Sequence, residues 1–336
     1  MATFGAEEIF KPGGCGGSSH GSTICEGADG ELVAAWYGGS REKGLDVAVW
    51  MSRLPAGATS WTEPVVVEKE SARTSEGNPV LFWDDRSDRL WLFWVTMYVL
   101  PLFGGGWSTA KVKCKASDDL GATWTEPRFL RDKIGWMTRH KPVRLSSGDM
   151  LLPVYSEFVG YKSFVLRCEG AEFAKGPLES RWTKHGRITG GVLQPTLAEI
   201  EPGRVLALMR TSRSGRFGGS LAAAESRDHG STWSKARRTP LPNPNSGADV
   251  VKLSNGHLAL AFNNSADRRT PLSVAISEDG GATWPHVRDL EDDPGLSFSY
   301  PAIVQASDGT LHVTYTNARA NIKHAAFDEA WVLGES

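Results

Sequence analysis

The sequence predicts an all-β fold: a six-bladed β-propeller with four antiparallel strands per blade, closed into a ring by the N-terminal strand. Three observations carry this prediction. The 336 residues include 37 Gly, 18 Pro and 13 Trp, a surplus of turn formers and large aromatics. One hairpin pattern recurs six times. A second motif lies out of phase with the first, so each unit holds two hairpins.

The first pattern is an alternating apolar run, a tight turn and a second apolar run. In order the copies are ICEGADGELVAAW, VLFWDDRSDRLWLFW, VRLSSGDMLLPVY, LAEIEPGRVLALM, VKLSNGHLALAF and IVQASDGTLHVTY. Their turns fall at Gly30, Asp88, Gly148, Gly203, Gly256 and Gly309, in steps of 53–60 residues. Period-2 alternation of Val, Leu, Trp and Phe marks strands. Dipeptides such as Asp29-Gly30, Asn255-Gly256 and Asp308-Gly309 supply the positive φ that tight hairpins need.

The second motif reads Ser-x-Asp-x-Gly-x-Thr-Trp. It occurs at 117–124, 226–233 and 277–284. Worn copies end at Trp61 and Trp182. The Asp and Ser/Thr side chains are expected to bond the turn backbone, and the Trp to pack between units. Counting from Gly309 round to Gly30 adds one more period, which favours a closed ring over an open solenoid. The last unit lacks a full fourth strand after His324, and Thr3–Phe10 is expected to supply it. No linker is apparent, so residues 1–336 read as a single domain.

Composition excludes several classes. Lys and Arg total 37 against 39 Asp and Glu, a net charge of −2, with no basic footprint for nucleic acid. A hydrophobic fraction of 40% with 23% charged residues excludes wholesale disorder. No run of 18 apolar residues exists, so no membrane span is expected. Residues 1–10 lack a basic end and an apolar run, which leads to the expectation of a cytoplasmic chain. Cys15, Cys25, Cys114 and Cys168 have no metal-ligand spacing and read as reduced thiols. Neither a metal nor another cofactor is expected.

The Ser-x-Asp-x-Gly-x-Thr-Trp element is the Asp-box. Three good copies on a six-unit chain resemble the sialidase (neuraminidase) superfamily across nearly the whole length. The resemblance supports the fold; activity has to be read from the site. Propeller geometry selects residues just before each first strand and just after each second strand. The first set is His20, Asn78, His140, Gln194, Asp249 and Tyr300. The second includes Glu42, Tyr155, Glu157 and Arg210.

Sialidases hold a substrate carboxylate with three arginines, use a tyrosine nucleophile activated by a glutamate, and protonate with an aspartate. The resemblance implies Arg210 (GRVLALMR) for the second arginine and Arg269 for the third, with Arg268 as competitor. It implies Tyr300 (SYPAIV) for the nucleophile. The first arginine belongs to an Arg-Ile-Pro motif that this chain lacks, and His20 stands in that position. Gln194 stands where the activating glutamate is expected. The acid is expected in the loop 38–46, where Glu42 and Asp46 are available.

Two chemistries and one binding role follow. The first is an exo-glycosidase releasing an acidic sugar, sialic or uronic, from a glycan. Arg210 and Arg269 would grip the carboxylate, Tyr300 attack, Glu42 or Asp46 protonate, and His20 supply a cationic contact. The second is a lyase on a uronate-containing glycan, with His20 or His140 as base and Tyr300 or Tyr155 as proton donor. The third is a glycan-binding propeller without chemistry, with Trp36, Tyr37, Trp94, Trp107 and Trp136 offered for stacking against blade packing. Asn78, Gln194, His140, Tyr155 and Asp249 complete the expected substrate-binding set. The expected partner is an acidic oligosaccharide or glycan.

Overall fold

The computed structural model describes residues 2–100, 104–157 and 160–335. Each expected hairpin forms the inner pair of a four-stranded antiparallel sheet, and six such sheets make the blades. Blade 1 runs Ser18–Glu26, Leu32–Gly39, Ala48–Leu54 and Val65–Glu68. Blade 4 is equally regular, from Val192–Glu201 to Arg237–Asn243. Blade 3 differs, because its first strand is broken into Met137–Thr138 and Val143–Arg144.

Ring closure follows the sequence expectation. The segment Phe4–Glu8 is the outer strand of blade 6, antiparallel to Asn321–Phe327, with Phe4 opposite Phe327. A short helix, Glu329–Leu333, then brings Trp331 onto Phe4, with ring centroids 4.6 Å apart.

Blades pack face to face through apolar clusters, one for each of five neighbouring pairs and two smaller ones where blade 6 meets blade 1. Trp36, Trp91 and Trp94 are fully buried there. Truncating a core side chain of that size costs about 3–5 kcal/mol.

The Asp-boxes sit between third and fourth strands. In the first, Asp119 accepts from the Thr123 amide at 2.7 Å and from its hydroxyl at 2.6 Å. Ser117 Oγ donates to Asp119 at 2.7 Å and accepts from the Gly121 amide at 2.7 Å. Trp124 joins the cluster between blades 1 and 2, Trp233 that between blades 3 and 4, and Trp284 that between blades 4 and 5. The worn copies keep the tryptophan in place. Trp61 donates to Glu7 of the closing strand at 3.1 Å, and Trp182 packs edge-on against Phe93 of blade 2.

All four cysteines are buried free thiols. Among the described residues, no helix is long and apolar enough to cross a membrane.

Candidate active site

One local device positions the axial side chains. In blades 1, 2, 4 and 6 the first strand slips register against the second, after His20, Gly77, Leu193 and Ser299. At each slip one residue takes a positive φ: Gly21 at 65°, Asn78 at 44°, Gln194 at 47° and Tyr300 at 55°. A bulge of this kind re-aims a side chain, and a non-glycine residue held there costs about 1–3 kcal/mol. Blade 1 carries glycine because a Cβ at Gly21 would lie 2.7 Å from the Tyr37 ring. Its axial side chain is therefore His20, one residue earlier. A proline follows Asn78, Gln194 and Tyr300, supplying no N–H where the ladder is interrupted.

Tyr300 is the centre of the site. Its hydroxyl accepts from Arg210 Nη1 and, at 3.4 Å, from Gln194 Nε2. The guanidinium groups of Arg139, Arg269 and Arg210 lie 5.1, 5.5 and 5.8 Å from its ring centroid. Burial pushes the phenol pKa up, but Arg210, Arg269, the Gln194 hydrogen bond and Arg139 together outweigh it, and the net shift is downward from the ordinary 10. Arg210 is oriented by Asn245 Oδ1 at 2.7 Å and Gln194 Oε1 at 3.2 Å. Tyr155 accepts from Asn78 at 3.1 Å and Gln194 at 3.2 Å, so the axial members of blades 2 and 4 meet on its hydroxyl. Burial holds the Tyr155 phenol well above its ordinary pKa.

Several expectations need correction. His20 does lie beside Tyr300, with ring centroids 4.3 Å apart. Its charged form is disfavoured, however: burial, then Arg319, Arg269, Arg139 and Arg210, hold its pKa well below 6.5. Its Nδ1 shares a hydrogen bond of 2.9 Å with Thr316. His140 is buried against the Pro195 carbonyl at 3.1 Å, and burial pushes its pKa to about 3. Asp249 is a strut rather than an open ligand. Its carboxylate accepts from Lys141 at 2.7 Å, Thr196 at 2.7 Å and the Ile303 amide at 3.0 Å, joining blade 5 to blades 3, 4 and 6. Asp46 is spent within its own loop, accepting from the Ser40 amide at 2.7 Å and hydroxyl at 2.9 Å. Glu42 reaches the site, but Trp107 donates to one oxygen at 3.1 Å and Arg319 is ion-paired with the other at 2.8 Å.

Three side chains matter to which sequence reasoning assigned no role. Arg319 stands in the tight turn after the second strand of blade 6, near Arg269 and His20. Arg139 is 1% exposed behind Tyr300 and donates to the carbonyls of Ser22 at 3.1 Å and Tyr300 at 2.7 Å. Glu157 is half-buried, and burial raises its carboxyl pKa although Arg210 and Lys43 oppose the shift. The signal for Arg319 was its place just beyond the second strand of blade 6, Leu311–Asn317. Nothing in the sequence marked Arg139, because blade 3 breaks the bulge pattern there.

Of the aromatics offered for stacking, Trp36 and Trp94 are core, and Trp136 lies flat on Phe164 at 5.1 Å. Tyr37 meets His20 edge-on at 5.6 Å, and Trp107 meets Tyr37 at 6.1 Å. A cavity of about 820 Å³ opens on the opposite face, where Arg167 pairs with Asp149. None of the axial residues lines it. Among the described residues, no His/Cys/Asp/Glu group is arranged to hold a metal.

A six-bladed ring with Asp-boxes on one face and arginines around an axial tyrosine on the other defines a class, the propellers of the sialidase and BNR-repeat superfamily. Residues 30–313 match the BNR repeat-like domain, and the chain belongs to that family. A curated relative, named sialidase, from Bacteroides fragilis (strain YCH46) is 23% identical over 322 residues, 86% of this chain and 58% of that protein. The chain thus spans less than two thirds of that relative's length. A Hadza microbial sialidase superposes with a TM-score of 0.81 at 18% identity, covering 97% of this chain and 69% of the other. A leech intramolecular trans-sialidase, solved with 2,7-anhydro-Neu5Ac, gives 0.78 at 14% identity, covering 99% and 72%. At these identities the structural likeness concerns the fold.

Proposed function

We propose that the axial pocket binds the terminal acidic sugar of a glycan and releases it by hydrolysis, with Tyr300 as nucleophile. The observation that carries this reading is the ring of arginines around the Tyr300 hydroxyl. Phenol is a weak nucleophile at its ordinary pKa of about 10. Gln194 cannot take its proton, since an amide is not a base; it orients the hydroxyl instead. Arg210, Arg269 and Arg139 favour the phenolate directly, so fixed charge does the work of the missing glutamate.

Arg210, Arg269 and Arg319 are the groups that would meet a sugar carboxylate, which planar guanidinium forks match well. Arg319 thereby supplies the third cation expected at His20. In the first step the phenolate attacks the anomeric carbon, the glycosidic C–O bond breaks, and the leaving oxygen takes a proton. Glu157 is the fitting donor, because its raised pKa keeps the carboxyl protonated further up the pH scale. Glu42, held by Trp107 and ion-paired with Arg319, suits the role of orienting Arg319. Water then cleaves the glycosyl–tyrosine bond with Glu157 as base, as in other two-step glycosidases.

Elimination is the weaker reading. It asks His20 or His140 to remove a carbon-bound proton, and both are held as poor bases by burial and the arginines. The relative named sialidase supports hydrolysis. A panel of sialyl and uronyl glycosides tests the proposal. Release of a free acidic sugar with no new ultraviolet chromophore is expected. A conjugated unsaturated uronate would replace this reading with elimination, and no turnover on any acidic glycoside would leave a binding propeller.

A further inference from the structure

Beside the axial site, and sharing a wall with it, lies a groove of about 450 Å³. Loops on the axial face build it. Arg213 comes from the loop of blade 4, Arg268 and Arg269 from that of blade 5, and Asn245 from the connection between the two blades. Asn245 is the shared wall. Its side-chain oxygen holds Arg210 at 2.7 Å and its carbonyl accepts from Arg269 at 3.4 Å.

The arginines of this groove stand outside close ion pairs. Among the described residues, no carboxylate lies within 4.0 Å of Arg213, Arg268 or Arg269. The one acidic residue in the lining is Asp267. Its carboxylate accepts from Ser265 Oγ at 3.0 Å, and its backbone carbonyl, not its side chain, receives Arg213. Some arginines elsewhere on the surface are in ion pairs, such as Arg53 with Glu31 at 2.8 Å and Arg204 with Glu225 at 3.1 Å. On a protein of net charge −2, unpaired cations gathered in one concave sector mark a place for an anion.

We propose that this groove is a second anionic subsite, which takes a sulfate ester or carboxylate on the sugar next to the one in the axial pocket. The proposal rests on the axial reading, since Arg269 and Asn245 belong to both places. It names the substrate class as a polyanionic glycan rather than one with a single acidic end. The volume suits one sugar ring with its charged substituent. Guanidinium forks match sulfate and carboxylate oxygens alike. A nucleic acid strand is disfavoured because the groove lining contains no aromatic ring on which a base would stack.

The test compares wild type with Arg213→Ser/Arg268→Ser by calorimetry. Both residues are exposed, so folding is expected to be unaffected. The probes are N-acetylneuraminic acid and its α2,8-linked dimer, glucuronic acid and a chondroitin sulfate tetrasaccharide, and a single-stranded 12-nucleotide DNA. The expected result is that one oligosaccharide binds wild type at least about tenfold tighter than its single sugar. The double variant should lose that increment and keep the single-sugar affinity within about twofold. Undiminished oligosaccharide binding by the variant overturns the proposal, as does failure of both oligosaccharides to outbind their single sugars. DNA bound more tightly than either glycan, through the same two arginines, also overturns it. Failure of the axial reading reads out separately, as no binding of either single sugar to wild type.

Discussion

Arg139 donates from Nη2 to the main-chain carbonyl of Tyr300 at 2.7 Å, while its guanidinium lies 5.1 Å from the centre of the Tyr300 ring. One buried cation therefore holds the strained backbone of the bulge and biases the phenol that the bulge presents. Arg139→Gln is expected to raise the Tyr300 pKa, because a charge favouring the phenolate is lost. The acidic limb of kcat/KM against pH should move to higher pH, and kcat should fall by about tenfold or more. A purely structural role would lower Tm without moving the limb.

Tyr300→Phe should lower turnover by at least about a hundredfold while leaving binding of the acidic sugar largely intact. Single-turnover kinetics with calorimetric binding make the check. Near-full turnover would remove Tyr300 from the chemistry.

Glu157→Gln should abolish the alkaline limb of the pH profile, since that limb reports deprotonation of the proton donor, and should cost about 10²–10⁴-fold in kcat. Substrates with a good leaving group, such as aryl glycosides, need less protonation and should be spared most of that loss. Equal losses on both substrate types would assign the proton to another group.

Acid should weaken the fold through neutral histidines. His312 and His324, stacked with 3.0 Å between ring nitrogens at the ring closure, have pKa values lowered to about 4, mainly by burial. Their folded pKa lies below the unfolded value of about 6.5, so the unfolded chain binds more protons. Their contribution is fully present above about pH 6.5 and is lost as pH falls towards 4, each tenfold difference in proton affinity between the two states being worth about 1.4 kcal/mol. Tm measured from pH 7.5 to 4.5 should fall, and His312→Asn/His324→Gln should flatten the slope.

Asp228→Ala should destabilise without touching the site. Asp228 accepts from Ser226 Oγ at 2.7 Å and the Thr232 amide at 2.8 Å. Losing those bonds at a turn on the opposite face should cost about 1–3 kcal/mol, read as a lower Tm with KM unchanged.

The repeat made the fold legible. Gly-marked hairpins, Asp-box tryptophans and the missing fourth strand of blade 6 are local signals, and each landed where expected. Tyr300, Gln194 and Arg210 were legible because the same repeat fixes where a blade begins and where its second strand ends. What failed was the state of the side chains. His20 was read as a cation from its type, yet burial and four arginines from other blades oppose its charge. Asp249 looked like a ligand until its three partners, each from a different blade, were in view. Arg139 was hidden because its neighbours are main-chain carbonyls, which leave no mark in a sequence.

The pairing of Phe4 with Phe327 has a consequence in time. A ribosome makes these partners more than 300 residues apart. At about 5–20 residues per second, the first strand waits roughly 15–65 seconds for its neighbour. Through that interval it is an unpaired edge, open to pairing with any other exposed strand. Blades 1 to 5 can form as they emerge, whereas the ring can close only after the last strand of blade 6 has been synthesised. Premature release of the chain should therefore be more damaging to this protein than its local, repetitive sequence suggests.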